Sequence, residues 1–159
     1  MSIEDFKTLM DEFDPASLLP ELDTIIGKIA FIARIAVLVG PVVLLVMGLL
    51  YLFASPKEAN HYLGFRCYYG MGSVEAWRYS QRLAGIVSGA LGLVLGIVML
   101  LVSGSFGRMD TMAMLTRAVW CVVLEAILTA IAFGAVNIMV ALRFDSRGDY
   151  RHSRNRQRV

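Results

Sequence analysis

Three long apolar runs alternate with short polar stretches along this chain. Residues 35–54 and 83–103 contain no charge, and residues 118–142 are interrupted mainly by Glu125 and Asn137. Each run has about the 20 residues that a helix rising 1.5 Å per residue needs to cross a roughly 30 Å hydrocarbon layer. A soluble bundle would need a polar stripe along every helix. Residues 83–103 offer only Ser and Gly for one. The pattern predicts an all-α integral membrane protein with crossings at 29–53, 83–103 and 118–142. Between the first two crossings lies a polar island, residues 55–82, held at the membrane surface by a helix on each side.

The rest of the chain arranges itself around this frame. Ile3, Phe6, Met10 and Phe13 recur at helical spacing among acidic residues, which predicts a short amphipathic helix over 2–13. Asp14-Pro15 ends it, because the residue before a proline avoids helical geometry. A second helix is expected from around 17–20, with Glu21 and Asp23 near its positive end, leading directly into the first crossing. Residues 1–28 are too acidic for a lipid-surface helix, which favours Lys and Arg; packing against the protein's own helices or a partner suits them better. In the first crossing, Arg34 is shallow enough to snorkel, and Pro41 predicts a kink. In the second, Gly85, Gly89, Gly92 and Gly96 fall on one helix face and allow close backbone approach. Packing against the first or third helix is the simpler use of that face, and a homo-oligomer is the alternative. Residues 104–117 read as an exposed turn with some helix. The segment 143–159 alternates Arg with small polar residues and reads as a disordered tail.

Composition agrees with the pattern: 57% of residues are hydrophobic and mean hydropathy is +0.64, while charge still reaches 18% by crowding between the runs. Cys67 and Cys121 fall at different depths and predict no disulfide, and neither they nor His61 and His152 have metal-ligand spacing. No cleavable leader is expected from the acidic first 25 residues. Lys and Arg number five on the side of residues 1–34 and 104–117, against ten in the island and tail. Basic segments stay in the cytoplasm, so the N-terminus is expected outside, and the island and C-terminus inside.

Glu125 is the most expensive residue, since a carboxylate in lipid costs several kcal/mol unless paired, protonated or wetted. Arg34 lies at a similar depth, which suggests an Arg34–Glu125 ion pair between helices; a proton- or ligand-coupled carboxylate and a singly exposed, protonated one are the alternatives. Asn137 is expected to bond a neighbouring helix or the island backbone. The arginine tail suits anionic lipid, at about 1 kcal/mol per residue near the surface; no fold or aromatic platform for nucleic acid accompanies it. In the island, Ser73 is a natural N-cap and Glu75 sits in the first turn of a helix running through Trp77 and Gln81 into the second crossing. The island holds no nucleophile–base pair, phosphate cradle or metal cage, so a binding or packing role is expected, without catalysis or cofactor.

Pro56-Lys57, Asn60, Gly64-Phe65-Arg66, Met71, Ser73, Glu75, Trp77, Arg82 and Gly85 together resemble the signature of the SdpI family, named for a bacterial immunity protein against a secreted antimicrobial peptide. Three positions depart from it: Cys67 stands where Thr is usual, Gly70 where Ser is usual, and Gln81 where Asn is usual. The resemblance covers about 30 residues and implies a plasma-membrane protein that protects its cell from a peptide toxin, or that signals by holding a transcriptional regulator at the membrane. A small transport component with Glu125 in a polar path, and a structural subunit of a membrane complex, are the alternatives.

Overall fold

A computed structural model of the protein describes residues 15–56 and 64–151, with side chains described from residue 24 onward. The amphipathic helix expected over 2–13, the positions of Lys57, Asn60 and His61, and the end of the tail from His152 lie outside the described residues. The long elements among the described residues are all helices: α1 (Pro15–Phe53), α2 (Val74–Ser103) and α3 (Thr111–Arg143). Short 3-10 turns at Tyr69–Met71 and Phe106–Arg108 stand in the two connections. All three long helices are long and apolar enough to span a membrane, as in a multi-pass membrane protein. Their outward surfaces are apolar too; only 11% of the most apolar window of α3 is buried. Such a surface needs hydrocarbon or a partner around it.

The helix ends follow local chemistry. Ser73 caps α2, its hydroxyl accepting from the Ala76 amide at 3.1 Å. Asp110 caps α3 by accepting from the Met112 amide at 3.1 Å. That cap starts α3 seven residues before the apolar run at 118, so the expected exposed turn over 104–117 is half helix. Phe106 in the short connection is 1% exposed; it packs in one cluster with Ala33, Val37, Met99 and Met114.

α1 and α2 touch at backbone distance. A Cβ on Gly48 would stand 2.6 Å from the Gly89 nitrogen, and one on Gly92 would stand 2.7 Å from the Leu45 nitrogen and 2.9 Å from the Pro41 oxygen. A Cβ on Gly85 would strike Leu52 at 2.7 Å. The glycine row of α2 is therefore used inside the bundle, against α1. Gly96 has only ordinary contact with Pro41, at 3.7 Å, and a Cβ on Gly89 would meet nothing within 4 Å.

The arginine segment does not begin as a loose tail. Arg143 closes α3, and residues 144–151 fold back in a turn bridged between Phe144 and Tyr150. The Asp145 carboxylate accepts from the amides of Arg147 and Asp149 at 2.9 and 3.0 Å. Gly148 supplies the left-handed residue at φ +79. A charge alternation masked this Asp-x-x-Gly turn in the sequence.

Because α1 and α2 meet at backbone distance at Gly48 and Gly92, Gly48→Ala and Gly92→Ala are each expected to destabilise the protein by about 1–3 kcal/mol through overpacking. Gly89→Ala should leave it nearly unchanged. Thermal unfolding of the three variants in detergent, followed by size-exclusion chromatography, checks this ranking.

Candidate functional site

The island folds into a docked loop closed at several points on α2. Gln81 is 1% exposed and its amide clamps the loop backbone both ways. The Phe65 amide donates to Gln81 Oε1 at 2.7 Å, and Gln81 Nε2 donates to the Phe65 carbonyl at 2.7 Å. The fully buried Trp77 donates its indole N–H to the Pro56 carbonyl at 2.9 Å, tying the end of α1 to the start of α2. Gly64 makes this approach feasible. It has φ +116, and a Cβ there would lie 2.7 Å from the Trp77 ring and 3.0 Å from Gln81 Oε1.

Aromatic rings connect this loop to the other helices. Phe65 stacks on Phe133 of α3 with centroids 5.4 Å apart, and meets the edge of Tyr51 of α1 at 6.2 Å. Phe144 packs against Tyr79 at 5.6 Å and Tyr150 at 4.7 Å. The Arg143 guanidinium lies 4.5 Å from the Tyr79 ring centroid. The folded-back turn is bonded to the loop as well, since the Ser73 hydroxyl donates to the Gly148 carbonyl at 2.8 Å. Gly72 and Gly148 approach so closely that a side chain on either would collide with the other's backbone. Phe133, Phe144, Gly148 and Tyr150 are thus parts of the site that island composition alone did not reveal.

Cys67 sits within this structure, 7% exposed. Burial pushes its thiol up from the ordinary range, while the Gly70 amide and Ser80 hydroxyl pull it partly back. A Cβ on Gly70 would lie 2.6 Å from the Cys67 sulfur and 2.8 Å from the Ser80 oxygen. The Ser80 hydroxyl itself donates to the Trp77 carbonyl at 2.8 Å. Arg66, Tyr68, Glu75, Arg78 and Arg82 are exposed around the docked loop. A cavity of about 510 Å³ opens there, with Tyr51, Ser55, Glu75, Arg78, Arg82 and Tyr150 in its wall. Two guanidiniums beside phenol and alcohol hydroxyls suit a carboxylate or phosphate, and Glu75 adds an acceptor for a donor on the same ligand.

The intramembrane polar residues do not behave as a pair. Glu125 is 5% exposed and points at α1, where a Cβ on Gly40 would collide with Glu125 Oε2. Its Oε1 has no hydrogen-bond partner among the described residues. Arg34 instead lies at the surface with Nη2 3.2 Å from where a Cβ on Gly107 would stand, so the expected Arg34–Glu125 ion pair is not formed. Depth was matched, but direction was not. Arg34 and Gly40 are six residues apart, which at about 100° per residue puts them on different faces of α1. Asn137 is also redirected: it is exposed and donates to its own helix at the Phe133 carbonyl, 3.0 Å away, rather than to a neighbour.

No known protein family, curated protein or solved structure matches the chain.

Alkylation of Cys67 reports the state of the docked loop. In a Cys121→Ala background, maleimide should react with Cys67 more slowly at pH 7–8 than with the unfolded chain. Its rate should keep rising beyond the ordinary thiol range, because burial lowers the thiolate fraction at a given pH. Gln81→Leu strands the Phe65 amide and carbonyl at about 1–3 kcal/mol each. It should raise the Cys67 rate and lower the melting temperature together.

Proposed function

We propose that the chain is an SdpI-like protein of the bacterial plasma membrane that works by binding, either protecting its cell from a secreted antimicrobial peptide toxin or docking a regulator at the membrane. The observation that carries this reading is the docked loop. Gly64, Phe65, Ser73, Trp77 and Gln81, which lie in the stretch that carries the resemblance, interlock through hydrogen bonds and packing. They form a fixed support with Arg66, Arg78 and Arg82 exposed around it. A rigid support with charged, exposed groups suits recognition, because little ordering entropy remains to oppose association.

The toxin or regulator is engaged by the arginines and tyrosines at this end of the bundle, and anionic lipid heads gather around the arginine segment beside it. Chemistry of its own is not required for either role. If the loop binds its partner, cells carrying the wild-type gene should survive a challenge with the cognate peptide better than cells lacking it. Arg66→Ala and Arg82→Ala should lose that protection while the protein still reaches the membrane at normal levels. Equal survival of cells with and without the gene against every peptide of the source strain would reject the immunity role. Retained partner capture by both arginine variants would reject the docking role.

In this reading the loop and C-terminus are cytoplasmic and the N-terminus is outside. Among the described residues, six exposed arginines (66, 78, 82, 143, 147 and 151) cluster at the loop end, against four exposed basic residues (Lys28, Arg34, Arg108 and Arg117) at the other. That asymmetry favours the loop end for the cytoplasm. Tyr68 is 76% exposed, so Tyr68→Cys in a background with Cys67→Thr and Cys121→Ala provides the check. A membrane-impermeant maleimide should label it only after the cells are opened, and labelling of intact cells would reverse the orientation.

A further inference from the structure

α1 and α3 line an open cleft at the end of the bundle away from the docked loop. It measures about 430 Å³ and its wall is aliphatic, including Ile29, Ala33 and Ala36 of α1 with Leu115, Ala118 and Val122 of α3. Small side chains create the space: Ala33, Ala36 and Ala118 stand where larger residues would close the helices together. One turn deeper on the same faces, Gly40 follows Ala36 at four residues and Glu125 follows Ala118 at seven. Those spacings keep both residues on the cleft side of their helices. Between Ala118 and Val136, Glu125 is the only buried residue of α3. The middle of this helix therefore turns a carboxylate inward where an aliphatic residue is the ordinary choice, and Oε1 has no partner among the described residues.

Among the described residues the surroundings supply no counter-charge. On α3, Cys121 and Arg117 lie about one and two turns outward from Glu125. On α1, Arg34 is directed to the Gly107 connection. α2 carries no charged residue between Arg82 and Arg108. Pro41 has no N–H to give, so the Val37 carbonyl lacks its usual intrahelical donor beside Gly40. An apolar cleft of small-molecule size, with a buried carboxylate about one turn deeper on the same helix face whose Oε1 has no partner among the described residues, has a definite ligand chemistry. The apolar walls demand a greasy body, and the carboxylate demands a positive charge.

We propose that Glu125 and the α1–α3 cleft form a binding site for a lipophilic organic cation, entering sideways from the hydrocarbon and exchanging with a proton on Glu125. Lateral entry follows from the exposed Arg34 and Arg117, which would repel a cation approaching from the adjacent membrane surface. Proton and ligand neutralise the same carboxylate, so they compete. The site is independent of the role of the docked loop.

Tetraphenylphosphonium is the probe. Purified full-length protein in uncharged detergent should bind it saturably, with affinity that rises with pH and with protons released into a weakly buffered solution. Glu125→Gln keeps the size and removes the charge; it should weaken binding at least tenfold and abolish proton release. Ala36→Phe fills the cleft while leaving Glu125 in place, and should also weaken binding at least tenfold. Arg82→Gln, at the other end of the bundle, should bind as wild type. Uptake by the folded wild type no greater than by empty micelles would overturn the proposal. So would pH-independent binding, or either Glu125→Gln or Ala36→Phe binding as tightly as wild type. Monodisperse elution of each variant shows that a loss is not misfolding.

Discussion

The backbone contact between α1 and α2 sets the geometry of everything else. In hydrocarbon, apolar side chains gain nothing by leaving their surroundings, so helices associate through close packing and polar contacts. Gly48 on α1 and Gly85 and Gly92 on α2 provide that packing, since none of the three sites tolerates a Cβ at the present separation. Pro41 lies in the same seam, its carbonyl against Gly92. With the two helices locked along this line, the end of α1 at Phe53 and the start of α2 at Val74 emerge side by side. The island must then close over a short gap, and the Trp77–Pro56 hydrogen bond is made across it.

A loop confined in that way cannot leave its backbone polar groups to chance. Trp77 and Gln81 are buried, so their amide and indole groups need partners inside the protein. Gln81 meets this need by satisfying the donor and acceptor of one residue, Phe65, and so fixes that ring between Tyr51 and Phe133. Each link constrains the next. The Ser73 hydroxyl serves twice, accepting as the cap of α2 and donating to Gly148, so the turn after α3 closes on the helix start. The exposed arginines owe their common location to this chain of contacts rather than to charge.

Much of the frame was legible because it follows from one-dimensional constraints. Apolar length gives the crossings, Ser73 with Glu75 gives the start of α2, and glycine spacing gives a face. What failed needed a second dimension. Arg34 and Glu125 were matched by depth, yet the helix rotation separating Arg34 from Gly40 sends the arginine towards Gly107. Asn137 had the right depth for a neighbour, but its side chain reaches the carbonyl four residues back in its own helix. The tail looked unstructured because arginines outnumber everything around them. Its order comes from Asp145, Gly148, Phe144 and Tyr150, and from partners far away in the sequence: Tyr79 for Phe144, 65 positions back, and Ser73 for Gly148, 75 positions back.

α3 is held differently from the other two helices, and Glu125 lies where that difference is greatest. Its buried aliphatic residues lie in two groups, Met114 with Ala118 at one end and Val136 with Val140 at the other. The second group belongs to the cluster of Cys67, Ala76 and Phe144 beneath the docked loop. Between them Cys121, Leu128 and Phe133 are only partly buried against the core, and the one buried residue is a carboxylate set against Gly40 of α1. A structural role would be served more cheaply by Leu at that position, since an apolar side chain removes the desolvation cost of the charge. Gly40 opposite it leaves the space that the carboxylate occupies, and Pro41 beside it has no N–H to complete the α1 ladder. The acid therefore fills the space the glycine opens, and its Oε1 is left without a donor among the described residues, which a packing role alone does not require.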